Sequence, residues 1–101
     1  MIIYNVTNNV EFAIADQWLQ WMEHTHIPEV MATGLFLDYA ILRLIGDEDS
    51  GGVTYAIQYK CESMVELNRY IAEFAPELRK DMARLYGDKC VSYRSLLEVI
   101  K

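Results

Sequence analysis

The chain has 101 residues, of which 52% are hydrophobic, and a formal net charge of −6. This length predicts one domain over residues 1–101, and the hydrophobic share is high for so small a domain. The nine basic residues are scattered, which argues against nucleic acid or a membrane surface as a partner, because both are bound through clustered Lys and Arg.

The sequence also indicates a compartment. It begins with a strand pattern instead of the basic and apolar regions of a secretion signal. No apolar run approaches the roughly 20 residues of a membrane span. The two cysteines, Cys61 and Cys90, fit a reduced protein better than a disulfide scaffold. We therefore expect a soluble cytoplasmic protein in which both cysteines are packing residues.

The chain begins with a predicted strand that is followed by a helix. Residues 1–7 place alternate side chains on two sides and are rich in β-branched and aromatic types, which is typical of a half-buried strand. Asn8 or Asn9 can cap the helix that follows. From Phe12 the apolar residues recur at helical spacing and form a face broader than a one-sided surface helix requires.

Pro28 predicts an interruption of this first helix. Proline disfavours helical geometry at the residue before it, Ile27, and is itself suited to a first helical position. We therefore expect the helix to break near His26 and a short second turn to run over residues 28–33. Gly34 then ends that turn in the left-handed conformation.

A hairpin follows. Residues 35–45 and 53–61 predict two strands, which are joined by the acidic loop of residues 47–52. Ser63, with Glu66 three residues later, predicts a capping box that opens the second helix.

The second helix is predicted from apolar residues at steps of three and four between Met64 and Leu85. Pro76 interrupts this stripe, so we expect a kink or a restart there. Gly87 ends the helix, and residues 88–100 predict a final strand.

The order β-α-β-β-α-β predicts a ferredoxin-like α+β fold, an antiparallel four-stranded sheet with both helices on one face. Several large aliphatic residues lie on both sides of the second and last strands: Ile41, Leu42, Leu44, Ile45, Leu96, Leu97 and Val99. Strands that are apolar on both faces are covered on both faces. We therefore expect a homodimer that packs sheet on sheet through the open face.

Five segments carry a resemblance to a known family: Met-Ile-Ile-Tyr-Asn-Val-Thr, Trp-Leu-Gln-Trp-Met, His-Ile-Pro-Glu-Val-Met-Ala-Thr-Gly, Tyr-Ala-Ile-Gln-Tyr and Ala-Pro-Glu-Leu-Arg. They resemble a bacterial family known as domain of unknown function 4286, over nearly the whole chain. The resemblance implies a dimeric α/β-barrel, in which ferredoxin-like protomers pair through their sheets, and assigns no catalytic residue. More distant proteins of this fold include cofactor-free monooxygenases, haem-degrading enzymes, isomerases and stress-response proteins, and the fold does not decide among them.

No cofactor or metal is predicted. Haem-degrading relatives use a histidine of the second helix as the iron ligand, and residues 63–86 contain none. The Cys-x-x-Cys pair of copper chaperones is absent. The acidic loop 47–52 resembles a calcium loop only faintly, because the twelfth position is Gln58 instead of glutamate. We interpret it as a solvated hairpin turn.

The two histidines are the first candidates for chemistry. His24 and His26 point to nearly opposite sides of a regular helix and cannot chelate one metal together. The simpler interpretation is that each is a helix-terminal histidine favoured by the helix dipole. His26 is nevertheless a weak catalytic candidate, because near the end of the helix it can turn toward the cleft beside the sheet.

Polar strand residues are the candidates for ligand binding. Those expected on the open face of the sheet are Asn5, Thr7, Arg43, Gln58 and Arg94. A strand arginine among aliphatic residues needs a carboxylate, a carbonyl or an anionic ligand. Asp38 and Glu98, of the same chain or its mate, are available for an ion-pair network at the interface. The alternative is a small cavity where Arg43 or Arg94 anchors an anionic group and His26 supplies acid–base capacity.

Two functional hypotheses follow. The first is a homodimeric module for binding or interaction, without established catalysis, that takes a small anionic or apolar ligand. The alternative is a cofactor-free small-molecule enzyme of the monooxygenase or isomerase kind, which uses the cleft between the sheet and the first helix. The absence of a clustered acid–base constellation favours the module.

Overall fold

The computed structural model describes residues 1–47 and 49–101 and shows an antiparallel sheet in the order β2-β3-β1-β4. The elements are β1 (Ile2–Glu11), α1 (Ala15–Trp21), α2 (Ile27–Ala32), β2 (Asp38–Arg43), β3 (Gly52–Cys61), α3 (Met64–Glu73), α4 (Ala75–Tyr86) and β4 (Cys90–Glu98). This is the predicted ferredoxin-like α+β arrangement. Across the described residues, every helix is too short or too polar to cross a membrane.

The strand register assigns the side chains to two faces. Tyr4 of β1 lies opposite Tyr59 of β3, and both are buried beneath the helices. The buried residues of the helical layer that complete this core include Trp18, Met22 and Leu67, which are 0–2% exposed. One face of the sheet is therefore covered by helices, which we call the covered face. The opposite face carries no element of the described chain, and we call it the open face.

The first strand is longer than predicted. It pairs with β3 as far as Glu11, which lies opposite Gly52. Asn8 and Asn9 are therefore strand residues, and their prediction as helix caps is wrong. Asn8 is fully buried, and its Nδ2 donates to the Val6 carbonyl oxygen at 3.0 Å. Pairing with two neighbouring strands outweighs the local preference of asparagine for a cap.

The predicted helix break near His26 is also wrong. A π-helical turn (Met22–His26) joins α1 to α2 without interruption. Pro28 lies in the first turn of α2, and the wider π turn accommodates the missing N–H of the proline. His26 consequently stays on a continuous helix with its side chain 8% exposed. Gly34 follows α2 with a φ of 77°, as predicted.

The second half of the chain follows the prediction more closely. The Ser63 Oγ accepts a hydrogen bond from the Val65 N–H at 3.2 Å and caps α3. The helix restarts as α4 just before Pro76, and Gly87 with a φ of 55° follows it. The second strand is shorter than the predicted residues 35–45, since Phe36 leaves the sheet plane for the core and is 5% exposed.

Candidate functional site

A cavity of about 180 Å³ lies between the covered face and the helical layer. We call it the helix–sheet cavity. Its apolar lining comes from both layers: Val6, Met22, Ile57, Leu78 and Met82. An engineered cavity of roughly 150 Å³ holds benzene in another protein, so this space has room for a compact ligand of about one ring.

Two arginines converge on one tyrosine hydroxyl at this cavity. Arg79 of α4 donates through Nη2 to the Tyr4 hydroxyl at 3.0 Å. Arg94 of β4 donates through Nε to the same oxygen at 3.1 Å. Neither guanidinium is among the three salt bridges that the described residues form. A pair of guanidinium groups around a neutral oxygen is a positive site that suits a carboxylate or another oxyanion.

His26 lies in the same cavity lining. Its ring stacks on Trp21 with centroids 5.0 Å apart. Burial lowers the pKa of His26 from 6.5 to about 4, with a smaller opposing effect of Asp81 and a smaller lowering by Arg94. The imidazole is therefore neutral at pH 7, and its buried Nδ1 has no hydrogen-bond partner among the described residues. A neutral imidazole can accept a hydrogen bond or a proton at one nitrogen.

Two further tyrosines face the cavity. Tyr59 is 2% exposed, and its buried hydroxyl has no hydrogen-bond partner among the described residues. Burial raises the pKa of Tyr59, and burial likewise raises the pKa of Tyr70 to about 12. Both hydroxyls are therefore neutral donors at physiological pH. The Tyr4 and Tyr59 rings stack with centroids 6.3 Å apart.

The thiol at the cavity is a poor nucleophile. Cys90 is half-buried at the start of β4, and burial raises the pKa of its thiol. The thiolate is the reactive form of cysteine, so a raised pKa keeps this side chain inert at pH 7. Cys61 is fully buried, and both cysteines are free.

The structure brings together two of the predicted site residues. His26 and Arg94 line the helix–sheet cavity, whereas Arg43, Asn5 and Gln58 do not. The prediction that Arg43 and Arg94 lie on the open face is wrong. Arg94 pairs with Val6 and Arg43 pairs with Tyr55, so their register positions belong to the covered face. Register decides the face of every strand residue, and pairing by one residue more or less reverses it.

The remaining predicted residues lie on the open face. Asn5 is 8% exposed, and its Nδ2 donates to the hydroxyls of Thr7 at 3.0 Å and Ser95 at 3.1 Å. The Asn5 Oδ1 is buried without a hydrogen-bond partner among the described residues. Gln58 lies opposite Asn5 on β3. These residues form a polar centre on the open face.

The predicted ion pairs are not formed within the described chain. Glu98 lies four residues beyond Arg94 on the same strand, which is roughly 13 Å at strand spacing. Asp38 belongs by register to the open face, opposite Lys60, and Arg43 to the covered face. The salt bridges among the described residues are instead surface pairs one helical turn apart on α3 and α4.

Sequence reasoning missed the residues that complete the cavity. Tyr4 and Tyr59 were assigned to strands, and an aromatic residue with a polar hydroxyl on a core face is a signal that could have identified them. Arg79 carries no such signal, because it lies beside Lys80 on a helix that is otherwise paired and solvated. His24 is exposed and interacts with the Gln20 Oε1 at 3.0 Å, one turn earlier.

No cluster of three His, Cys, Asp or Glu side chains suited to a metal ion occurs in the parts of the chain that the structure describes. The acidic loop between β2 and β3 forms a turn in which the Ser50 N–H donates to the Asp47 carbonyl oxygen at 2.9 Å. The antiparallel pairing of β2 with β3 confirms the predicted hairpin.

The architecture is similar to several solved structures. A dimeric ferredoxin-like protein from an uncultured marine organism matches with a TM-score of 0.74 and 12% identity over 99% of this chain and 95% of that one. A variant of SnoaB, a cofactor-independent oxygenase from Streptomyces nogalater, matches with 0.72 and 15% over 99% and 93%. A hydroxynitrile lyase from Passiflora edulis matches with 0.60 and 15% over 96% and 94%. At these identities the likeness shows the fold alone.

The sequence itself gives the family. A search of curated proteins finds no match. The family model described as Domain of unknown function (DUF4286) matches residues 1–100, which confirms the resemblance seen in the sequence. The chain therefore belongs to the DUF4286 family.

Proposed function

We propose that this protein is a homodimeric module that binds a small organic anion in the helix–sheet cavity. The observation that carries the proposal is the convergence of Arg79 and Arg94 on the Tyr4 hydroxyl at 3.0 and 3.1 Å, outside the salt bridges of the described chain. In a protein with a net charge of −6, two adjacent guanidinium groups form a local site where an anion is favoured.

The rest of the lining suits an apolar ligand body. Binding sites for small molecules combine a mostly apolar wall with a few convergent polar groups that fix the orientation of the ligand. Here Ile57 and Met82 supply apolar wall, while both arginines are exposed at the rim. The expected ligand therefore has a compact apolar body and one anionic end, and it binds with that end toward the arginines.

The homodimer is supported by the open face. Large apolar side chains on its outer strands are 44–64% exposed: Leu42, Val91, Tyr93 and Leu97. Full burial of one such side chain is worth roughly 1.5–3 kcal/mol, and because each is already about half buried, covering it contributes about half of that. The similar marine protein is described as dimeric. A second copy that docks on this face would bury the apolar strands and bring its own groups toward the unpaired Asn5 Oδ1.

Isothermal titration calorimetry with benzoate as the probe tests the anion site. Benzoate should bind the wild-type protein at least about tenfold more tightly than benzyl alcohol, its neutral analogue of similar size. Arg94→Gln and Arg79→Gln should each weaken benzoate binding by about 10–100-fold, because a charge-assisted hydrogen bond is lost. Their effect on benzyl alcohol should be small.

Arg84→Gln is the matched control. Arg84 lies on the same helix as Arg79, but it pairs with Asp81 at 3.2 Å on the surface and does not line the cavity. Its replacement should change the benzoate dissociation constant by less than about twofold. Equal affinity of the wild-type protein for benzoate and benzyl alcohol would contradict an anion site, as would equal losses in all three variants.

Catalysis at the same cavity is the second candidate function, and His26 favours it. A neutral imidazole with an unpaired nitrogen beside a ligand cavity can accept a proton, and its pKa of about 4 makes it a weaker base than an exposed histidine. Two of the similar structures are enzymes by description, the cofactor-independent oxygenase and the hydroxynitrile lyase. The expected reaction is the removal of a proton from an acidic C–H bond of the bound anion.

Deuterium exchange from solvent into the acidic C–H positions of phenylpyruvate, followed by NMR, tests this second function. The wild-type protein should accelerate the exchange, and His26→Asn should remove at least about 99% of the acceleration. His24→Asn, at an exposed position outside the cavity, should retain it. If the wild-type protein accelerates nothing while benzoate binds, the protein is a binding module only.

A further inference from the structure

The helix–sheet cavity has two polar ends of different character. At the rim, Arg79 and Arg94 are exposed and charged. In the interior, Tyr59 is 2% exposed and His26 is 8% exposed, and each has a buried polar atom without a hydrogen-bond partner among the described residues. The anion proposed above would pair only with the two arginines at the rim and would leave the Tyr59 and His26 atoms without a partner.

Unpaired polar atoms inside a protein are rare, because no hydrogen bond offsets the free-energy cost of removing them from water. Those that persist call for an explanation. Here two of them, the Tyr59 hydroxyl and the His26 Nδ1, belong to side chains that line the same cavity. Both groups are neutral at physiological pH, because burial raises the pKa of Tyr59 and lowers the pKa of His26 to about 4. The complementary ligand group is therefore neutral and polar.

A hydroxyl is the smallest group that can serve either atom. It donates one hydrogen bond and accepts others, whereas a carbonyl only accepts. The Tyr59 hydroxyl can donate to it or accept from it. The His26 Nδ1 can also do either, according to which ring nitrogen carries the proton. A ligand hydroxyl therefore fits whichever tautomer His26 adopts.

We propose that the ligand is a compact hydroxy-substituted aromatic carboxylate, whose carboxylate binds Arg79 and Arg94 and whose hydroxyl pairs with the Tyr59 hydroxyl. This inference rests on the proposed anion site and adds a second point of recognition. The aromatic body follows from the size of the cavity, about 180 Å³, and from its lining by tyrosine and methionine side chains.

The test compares three probes: benzoate, 3-hydroxybenzoate and 4-hydroxybenzoate. Titration calorimetry should show at least one hydroxybenzoate binding the wild-type protein about tenfold more tightly than benzoate. In Tyr59→Phe this advantage should fall below about threefold, while the affinity for benzoate stays unchanged. The phenyl ring of the variant retains the packing, so the comparison isolates the hydroxyl.

Tyr39→Phe is the matched control. Tyr39 lies opposite Tyr59 on β2, but it is 44% exposed and does not line the cavity. It should keep the full advantage of the hydroxybenzoate. In the absence of ligand, Tyr59→Phe should melt at the wild-type temperature or higher, because the hydroxyl loses no hydrogen bond. A clear fall in melting temperature would assign the hydroxyl a structural partner and overturn the inference.

The two proposals fail separately. If benzoate binds through the arginines but neither hydroxybenzoate binds more tightly, the anion site stands and the hydroxyl-recognising end is wrong. If a hydroxybenzoate gains affinity equally in the wild-type protein and Tyr59→Phe, recognition of the hydroxyl by Tyr59 is wrong. If none of the three probes binds at millimolar concentration, the anion site fails as well.

Discussion

The two faces of the sheet use the same residue types in opposite ways. On the covered face Asn8 is fully buried, and its Oδ1 accepts a hydrogen bond from the Ser92 hydroxyl at 2.7 Å. On the open face Asn5 donates to the Ser95 hydroxyl at 3.1 Å. Both asparagines lie on β1 and both serines lie directly opposite on β4. One pair is enclosed in a core, while the other forms the polar centre of an uncovered face.

The difference indicates what each face is for. The covered face has dense packing around a cavity. Among the described residues on this side, the unpaired polar atoms of Tyr59 and His26 belong to the cavity lining, whereas Trp18 Nε1 lies outside it. The open face has exposed apolar residues around asparagine side chains whose Nδ2 groups are already bonded within the sheet. Unpaired groups beside a cavity favour a small ligand, while apolar residues around a polar centre on an uncovered sheet favour a flat macromolecular partner.

The largest expected effect concerns the open face. Leu97→Asp should raise the dissociation constant of the proposed dimer on the order of 1000-fold, because the symmetric interface would bury two unpaired carboxylates. Leu85→Asp is the control, since Leu85 is 46% exposed on α4 and Leu97 is 44% exposed. Sedimentation velocity over a range of protein concentrations measures both.

The two leucines are equally accessible in the protomer, so the addition of a surface charge does not by itself account for a selective effect. A dimer that persists in Leu97→Asp would remove the open face as the interface. If only Leu85→Asp dissociates the dimer, the interface lies on the helical layer, and the open face is not the surface that binds the second copy.

The fold could be predicted well from the sequence, because the spacing of apolar residues along each strand and helix indicates which side of it is buried. The strand alternation around Tyr55 and the capping by Ser63 are local signals, and both agree with the structure. Asn8 and His26 were misassigned because tertiary context outweighed local preference. Strand β1 continues beyond Asn8 because it pairs with a strand on each side, and the helix continues to Pro28 because a π turn joins its two parts.

The site was predicted only in part, for a physical reason. Arg94 and His26 were identified as an anchor and a base, but the face of Arg94 depends on the register of β4 with β1. Arg79 is brought to the Tyr4 hydroxyl, 75 positions earlier in the chain, by the packing of α4 on the sheet. No local pattern encodes a contact of that kind.

A smaller effect is expected from acid on the covered face. The pKa of His26 is about 4 in the folded protein and about 6.5 when unfolded. The unfolded state therefore binds more protons between these values, and stability falls as the pH falls through this window. Asp81 opposes the shift and Arg94 supports it. Between pH 7 and pH 5 the loss due to His26 should be about 2 kcal/mol.

Urea denaturation of the wild-type protein and His26→Gln at the two pH values measures this loss. The variant should lose about 2 kcal/mol less than the wild-type protein on acidification. His24→Gln, at an exposed position, is the control and should retain the acid sensitivity of the wild-type protein. Identical pH dependence of all three proteins would show that His26 is solvated, and the contrast between an enclosed and an open face would weaken.

The smallest expected effect compares the two serines directly. Ser92→Ala leaves the Asn8 Oδ1 without its donor at a fully buried position. Ser95→Ala leaves the Asn5 Nδ2 bonded to Thr7 at 3.0 Å. An unpaired buried acceptor is costly, so Ser92→Ala should lower the free energy of unfolding by about 1 kcal/mol more than Ser95→Ala.

Urea denaturation at one protein concentration and pH 7 gives the difference between these variants. Each removes one hydroxyl from β4 and leaves the strand register unchanged, so propensity and entropy changes largely cancel. If Ser95→Ala lowers the free energy of unfolding more than Ser92→Ala does, the hydrogen bond between Asn5 and Ser95 contributes more to stability than the one between Asn8 and Ser92. The polar centre would then be a rigid, enclosed site, and the open face would bind its partner through hydrogen bonds as well as through apolar contact.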